Sequence, residues 1–176
     1  MITVLKRKVS KSEAKLLVKA IKSTPNIMGY SLREWLEAEH VIVSENEKGN
    51  LLGACLNYDI NRDWYKIGAL FVFKEFRGQG IGKSLFYKSV EDAVQRGKNV
   101  YTISSNPIVI KMMEDSGFEK ISKFFDLIKV WKQDRLLFIK HTVGWVMNLY
   151  RIKEIFRKTI VFTSNAPFVF GVKFSQ

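Results

Sequence analysis

The sequence contains a single cysteine, Cys55, so no disulfide can close within the chain. That fits a reducing compartment or no redox role. Histidine is almost as scarce: His40 and His141 are the only two, and no His/Cys pair has the spacing of a zinc site. No nucleophile–histidine–acid set and no aromatic signature for stacking RNA bases is present. Long apolar runs are missing as well. The best stretch, Leu136 to Tyr150, carries Lys140 and His141, whereas a membrane span needs about 20 mostly uncharged residues. The N-terminus MITVLKRKVSKSEAKLL meets charge at Lys6 and builds no secretory core. These absences predict a soluble, cytoplasmic protein without a metal. Nothing repeats and no low-complexity linker divides the 176 residues, so one domain is expected over 1–176.

What is present is a globular balance, 47% apolar and 26% charged, with 13 phenylalanines to fill an aromatic-rich core. The net charge is +12 and uneven: 18 basic against 13 acidic residues up to Phe118, then 11 against 4. A basic surface attracts polyanions, among them coenzyme A phosphates, nucleic acid and anionic lipid. A solvated lysine-rich face is the plainer reading. The basic amphipathic stretch Val143 to Lys158 is expected to lay its apolar face on a sheet rather than to grip nucleic acid or a membrane surface.

Two capping boxes, Ser10–Glu13 and Ser31–Glu34, predict helices ahead of Ala14–Ile21 and at Trp35–Leu36. Strands are predicted over 40–44, 51–58 and 64–73, with connections short enough for an antiparallel meander. A helix then runs from Ile81 to Gly97, a strand over 100–104 and a helix from Pro107, capped by Asn106, to Ser116. Beyond Phe118 the pattern suggests strands at 118–127 and 135–141, although Phe124, Leu127, Ile128 and Trp131 also fit a helix. A helix over 143–158 and a strand over 168–174 complete the order. This succession predicts an α/β fold, a mixed sheet flanked by helices.

The segment Leu70 to Ser84 reads LFVFKEFRGQGIGKS. Glycines 78, 80 and 82 stand between a strand and a helix, where amides can converge on one anion, aided by the helix N-terminus and Lys83. A Walker loop fails because Arg77 stands at its first glycine, and the dinucleotide fingerprint fails at its third. The pattern that fits is [Gln/Arg]-x-x-Gly-x-[Gly/Ala], with Arg77, Gly80 and Gly82.

That pattern, after Leu70-Phe71-Val72, resembles the coenzyme A signature of the GCN5-related N-acetyltransferases. Asn106 to Phe118, NPIVIKMMEDSGF, is similar to the family's N-x-x-A-x-x-x-Y-x-x-x-G-F segment. The resemblance covers residues 1 to about 140 and leaves 141–176 as a C-terminal extension. It implies that the chain moves an acetyl group from acetyl-CoA to an amine, on a small molecule or a protein. It further implies that Phe71 and Val72 pair with the pantetheine arm, that Arg77, Gly78, Gln79, Gly80, Ile81, Gly82 and Lys83 wrap the pyrophosphate, and that Asn106 lies beside the arm where two parallel strands part.

The family's leaving-group tyrosine is replaced by Met113, which has no proton to donate. Tyr101, Ser104 and Ser105 are the nearest polar alternatives. No glutamate stands on the strand 64–73 to act as base. Asp59, Asp63, Glu75, His40 and His141 are the other candidates, each with an ordinary structural explanation. Tyr101, Ser104 and Asp59 are carried forward as catalytic candidates. Two alternatives stay open: a catalytically silent acyl-CoA-binding module and a basic interaction protein.

Overall fold

A computed structural model describes residues 1–25, 27, 29–121, 135–161 and 167–175. Its strands are β1 (Ile2–Lys6), β2 (His40–Asn46), β3 (Leu51–Asp59), β4 (Trp64–Val72), β5 (Asn99–Ser104), β6 (Glu119–Ile121) and β7 (Val169–Lys173). The helices are α1 (Lys11–Lys22), α2 (Leu32–Glu37), α3 (Ile81–Gln95), α4 (Pro107–Asp115), α5 (Arg135–Val146) and α6 (Leu149–Val161). All seven strands join one mixed sheet in the order β1-β2-β3-β4-β5-β7-β6, with helices on both faces.

Local chemistry sets the early elements. Both capping boxes form: Ser10 and Ser31 accept the Glu13 and Glu34 amides, and each glutamate reaches back to its cap. The strands β2, β3 and β4 make the expected antiparallel meander. On one face, Leu17, Ile21 and Trp35 bury against Val41, Val43 and Phe71. On the other, Leu85, Phe86 and Ala93 of α3 and Met112 and Met113 of α4 cover Ile42, Tyr65 and Val100. Each large side chain buried this way contributes about 2 kcal/mol.

One strand goes unpredicted and two sequence expectations are corrected. Residues 2–6 form an edge strand, β1, antiparallel to β2. Residues 135–141 are helical rather than extended, because the ladder beside β5 is taken by β7, whose other edge pairs with β6. The helix expected over 143–158 is broken at Met147–Asn148, where Asn148 Oδ1 accepts the Tyr150 amide at 3.0 Å and starts α6. The C-terminal extension carries helix α6 beyond the core, and the strand expected at 168–174 is β7, inside the sheet. Expected structure at 122–127, including Phe124 and Leu127, and at Ile128 and Trp131 lies outside the described residues.

Helix α6 also packs opposite to expectation. Arg151, Glu154 and Lys158 are buried, whereas Leu149, Phe156 and Ile160 are 82%, 68% and 79% exposed. The charged stripe is held by specific partners. Lys158 Nζ donates to the carbonyls of Ile21, Thr24 and Ile27, where the last turn of α1 ends. Arg151 pairs with Glu34, and Arg157 donates to Lys22 O at 2.7 Å. No helix among the described residues is long and apolar enough to cross a membrane.

Candidate functional site

The parallel strands β4 and β5 pair only over Trp64–Ile67 and Asn99–Thr102. Thr102 Oγ1 closes the last rung by donating to Ile67 O at 3.1 Å. Beyond it the strands part. Val72 continues opposite Gly53 of β3, while Ser104 continues opposite Val169 of β7. A bulge starts the divergence: Leu56 opposes Ala69 and Asn57 opposes Ile67, so Gly68 is the extra residue. A Cβ on Gly68 would lie 2.7 Å from the Tyr30 hydroxyl and 3.0 Å from Leu56 O. Glycine here lets a tyrosine hydroxyl sit directly over the opening.

Strand alternation then decides which amides face the gap. Phe73 N donates to Leu52 O at 3.1 Å, so Phe71, two residues earlier, also directs its amide to β3. Leu70 and Val72 face the split instead. Of the two residues expected to pair with a pantetheine arm, Val72 therefore turns its amide toward the gap, whereas Phe71 turns its amide to β3 and has a buried ring. Arg77 folds back over this edge, with Nε donating to Val72 O at 3.0 Å. A Cβ on Gly53 would fall 2.7 Å from Phe71 O and 3.2 Å from Val72 Cα. Gly53→Ala is therefore expected to displace the end of β4, costing about 2 kcal/mol in chemical denaturation and weakening coenzyme A binding in the same preparation.

The glycine turn follows. Gly78 and Gly80 adopt φ of 79° and 78°, which side chains disfavour. Gly80 is the N-cap of α3 without any side-chain hydrogen bond. Among the described residues, the amides of Gly78, Gln79, Gly80, Ile81, Gly82 and Lys83 find no acceptor, and the first helical bond is Ser84 N to Gly80 O. Six consecutive donors at the positive end of a 15-residue helix make a seat for an anion such as a diphosphate. Gly82 needs no special conformation, and a Cβ there would touch only Val72 Cγ2, at 3.7 Å. Its side has been left open. Asn106 caps α4 beyond the end of β5, with Oδ1 accepting the Ile108 amide at 2.9 Å.

On the Tyr30 side of the split lies a cavity of about 640 Å³. Its wall includes Tyr30, Glu34, Tyr58, Lys140, His141 and Arg151. The Arg151 guanidinium stacks 4.6 Å from the Tyr30 ring. His141 packs against Tyr58 with ring centroids 5.7 Å apart and the planes tilted by 41°. Its Nε2 is buried with no hydrogen bond among the described residues. Lys66, buried on β4, places its ammonium 5.3 Å from the Tyr101 ring and 5.7 Å from the Tyr58 ring. Burial, reinforced by Arg151, pushes Lys66 down to about 7.

Burial, with the charges of Lys66 and Arg151 behind it, pushes His141 down to about 4. The unfolded chain then takes up the proton first, near the ordinary value of about 6.5. His141 thus supports the fold fully above that pH, and its contribution is lost as pH falls from 6.5 to 4. With partial exposure discounted, the loss is about 2 kcal/mol. Denaturant titrations of the native protein and a His141→Asn variant are expected to diverge across that window and run parallel above it.

The catalytic candidates fall in different places. Tyr101 is buried on the cavity side of β5, and burial raises its hydroxyl pKa. Ser104 stands at the end of β5, where its Oγ accepts the Asn106 amide at 3.1 Å. Asp59 lies with Arg96 and Lys98, and its contact with Lys98 Nζ is 2.7 Å. Burial raises the Asp59 carboxyl, but the hydrogen bonds from Lys98 and Arg96 outweigh it and hold the group below its ordinary value. Arg96 is at the far end of α3, about 20 Å from the glycine turn. His40 belongs to the same cluster, 3.5 Å from Asp59. Glu75 and Asp63 are exposed. Met113 is fully buried beneath Gly171, whose Cβ would lie 2.9 Å from its Sδ. Sequence reasoning missed Tyr30, Lys66, Gly68 and Arg151. A lysine and a lone glycine inside the apolar run Trp64–Val72 were the available signals.

A family model described as the acetyltransferase (GNAT) family matches residues 15–118, more than half of the chain. No curated protein sequence matches. Among solved structures, an N-acetylglutamate synthase from Neisseria gonorrhoeae, complexed with coenzyme A and N-acetyl-glutamate, is 15% identical with a TM-score of 0.60. The match covers 98% of this chain and 35% of that one, so this chain spans about a third of that protein. A Mycobacterium tuberculosis protein in complex with CoA and a second ligand is 14% identical with a TM-score of 0.61, over 96% of this chain and 99% of that one. A phosphinothricin acetyltransferase from Sinorhizobium meliloti, in complex with acetyl-CoA, is 16% identical with a TM-score of 0.56, covering 68% and 76%. At these identities the likeness is one of fold.

Proposed function

The chain belongs to the GNAT acetyltransferase family, and from that premise we propose that it transfers an acetyl group from acetyl-CoA to an amine by direct attack. The observation that carries this reading is the row of six unspent amides at residues 78–83, next to the split between β4 and β5. The residues present fit a coenzyme A. The amides and Lys83 would hold the diphosphate, and the Leu70 and Val72 backbone would meet the pantetheine arm. The structural neighbours complexed with CoA or acetyl-CoA support the same assignment.

In the reaction, the neutral amine nitrogen attacks the thioester carbon. The C–N bond forms, the C–S bond breaks, the amine gives up a proton and the thiolate gains one. A backbone donor at the split, Leu70 or Val72, would stabilise the developing oxyanion, a contribution of about 3 kcal/mol for an aligned donor. Tyr30, whose hydroxyl overlies Gly68, is the side chain nearest the opening on the cavity side. Met113, at the position of the family's tyrosine, supplies no acid and lies in the core.

Calorimetric titration with CoA, combined with thiol release from acetyl-CoA across an amine panel, tests the proposal. Binding together with amine-dependent release is expected. A folded protein that ignores CoA overturns the assignment. The buried Met113 favours one second reading, a CoA-binding module without turnover, and thiol release with any amine eliminates it.

A further inference from the structure

Resting on that acetyl-transfer reading, we propose that the acceptor is a free α-amino acid whose carboxylate is held in the cavity by Arg151 and Lys140. The charge balance of the wall points this way. Both of its acids are matched: Glu34 pairs with Arg151, and Glu37 pairs with Arg33 at 2.7 Å. Lys140 also lines the cavity and has no ion pair among the described residues. With Glu37 answered by Arg33 from outside the wall, Lys140 is the lining charge left without an ion pair among the described residues, and an acceptor bringing an anion completes it. The field of Arg151 reaches Tyr58, Lys66 and His141, so the guanidinium acts on the same interior.

Spacing narrows the class further. The amine must reach the opening between β4 and β5, which the Tyr30 hydroxyl marks by its place over Gly68. Arg151 stacks on that same tyrosine ring, at 4.6 Å. Cation and opening are thus about one ring apart, which suits an amine and a carboxylate on a single carbon. A polyamine or a lysine side chain would bring its nitrogen without a nearby anion, and a peptide N-terminus would carry an amide there instead. The acceptor's own side chain would extend past His141, whose Nε2 is still unsatisfied among the described residues. The step balances: the ammonium of the zwitterion gives one proton to solvent before the attack, one acetyl group moves from sulfur to nitrogen, and a second proton from nitrogen ends on the sulfur, so that CoA leaves as the thiol.

The test uses the native protein and compares the twenty L-amino acids with their α-carboxamides, which keep the amine and the side chain but lose the charge. Thiol release is followed, and CoA binding is measured alongside by calorimetry. At least one amino acid is expected to be acetylated, with kcat/KM for its carboxamide lower by 100-fold or more. Arg151→Gln and Lys140→Gln are each expected to shrink that ratio, mainly through KM. CoA binding with equal rates for acid and carboxamide overturns the inference and leaves acetyl transfer standing. CoA binding with turnover of polyamines or peptides alone, or with no amino acid acetylated, does the same. Loss of CoA binding itself removes the acetyl-transfer reading, and this inference with it.

Discussion

Replacing Gly82 by leucine is expected to leave the protein folded while weakening coenzyme A binding by at least 100-fold, about 2.7 kcal/mol. Gly82 has ordinary helical backbone in the first turn of α3, and only Val72 Cγ2 lies within reach of a new Cβ, at 3.7 Å. The fold therefore loses nothing by the change, and a helix position gains up to about 1 kcal/mol when glycine is replaced. The site, by contrast, loses the open approach to amides 78–83. Gly80→Leu provides the contrast, because its φ of 78° makes any side chain strained by about 1–2 kcal/mol. Thermal melts and calorimetric titrations of both variants separate the two roles. Native CoA affinity in Gly82→Leu would refute the placement of the diphosphate.

Removal of the Glu34 carboxylate, by Glu34→Ala, is expected to cost about 4 kcal/mol in denaturant unfolding. Its Oε1 pairs with Arg151, whose side chain is 6% exposed. Stripping one partner from such a pair leaves a charge in a poor environment. The other oxygen accepts from the Ser31 amide and hydroxyl, each at 2.8 Å, so the reciprocal half of the α2 capping box is lost too, at about 1 kcal/mol. Glu34→Gln keeps the shape and weakens the charge, and is expected to fall between Glu34→Ala and the native protein. A loss below about 1 kcal/mol for Glu34→Ala would show that the ion pair does not hold α6 to α2.

Much of the frame was legible because it is local. The capping boxes, the Asn106-Pro107 helix start and the glycine turn each act over a few residues, and all appear where their side chains put them. The edge strand β1 was not, because Ile2–Lys6 becomes a strand only by pairing with β2 some 40 residues later. The run 135–141 carried no local feature that separates helix from strand, and β7 decides the matter by filling the ladder. The cavity was illegible for the same reason. Glu34 and Arg151 are 117 positions apart; Tyr30 stands just before Glu34, but Lys66 and His141 come from two further elements, β4 and α5. No spacing rule joins residues that only the sheet brings together. Lys158 and Arg151 looked like solvent-facing charges because a helical wheel cannot reveal that the carbonyls ending α1 and a carboxylate wait on the inner side.

The place of β7 has a consequence for how the chain is made. Synthesis proceeds from the N-terminus, so the meander β1–β4 and the glycine turn emerge early and can pair at once. Neither β5 beyond Thr102 nor β6 has a neighbour on that side until residues 169–173 leave the ribosome. For the intervening interval the nascent chain carries naked strand edges, which invite pairing with other chains. Beyond Thr102 the β5 wall of the groove is held in the sheet only by this late strand, so the groove is fixed last.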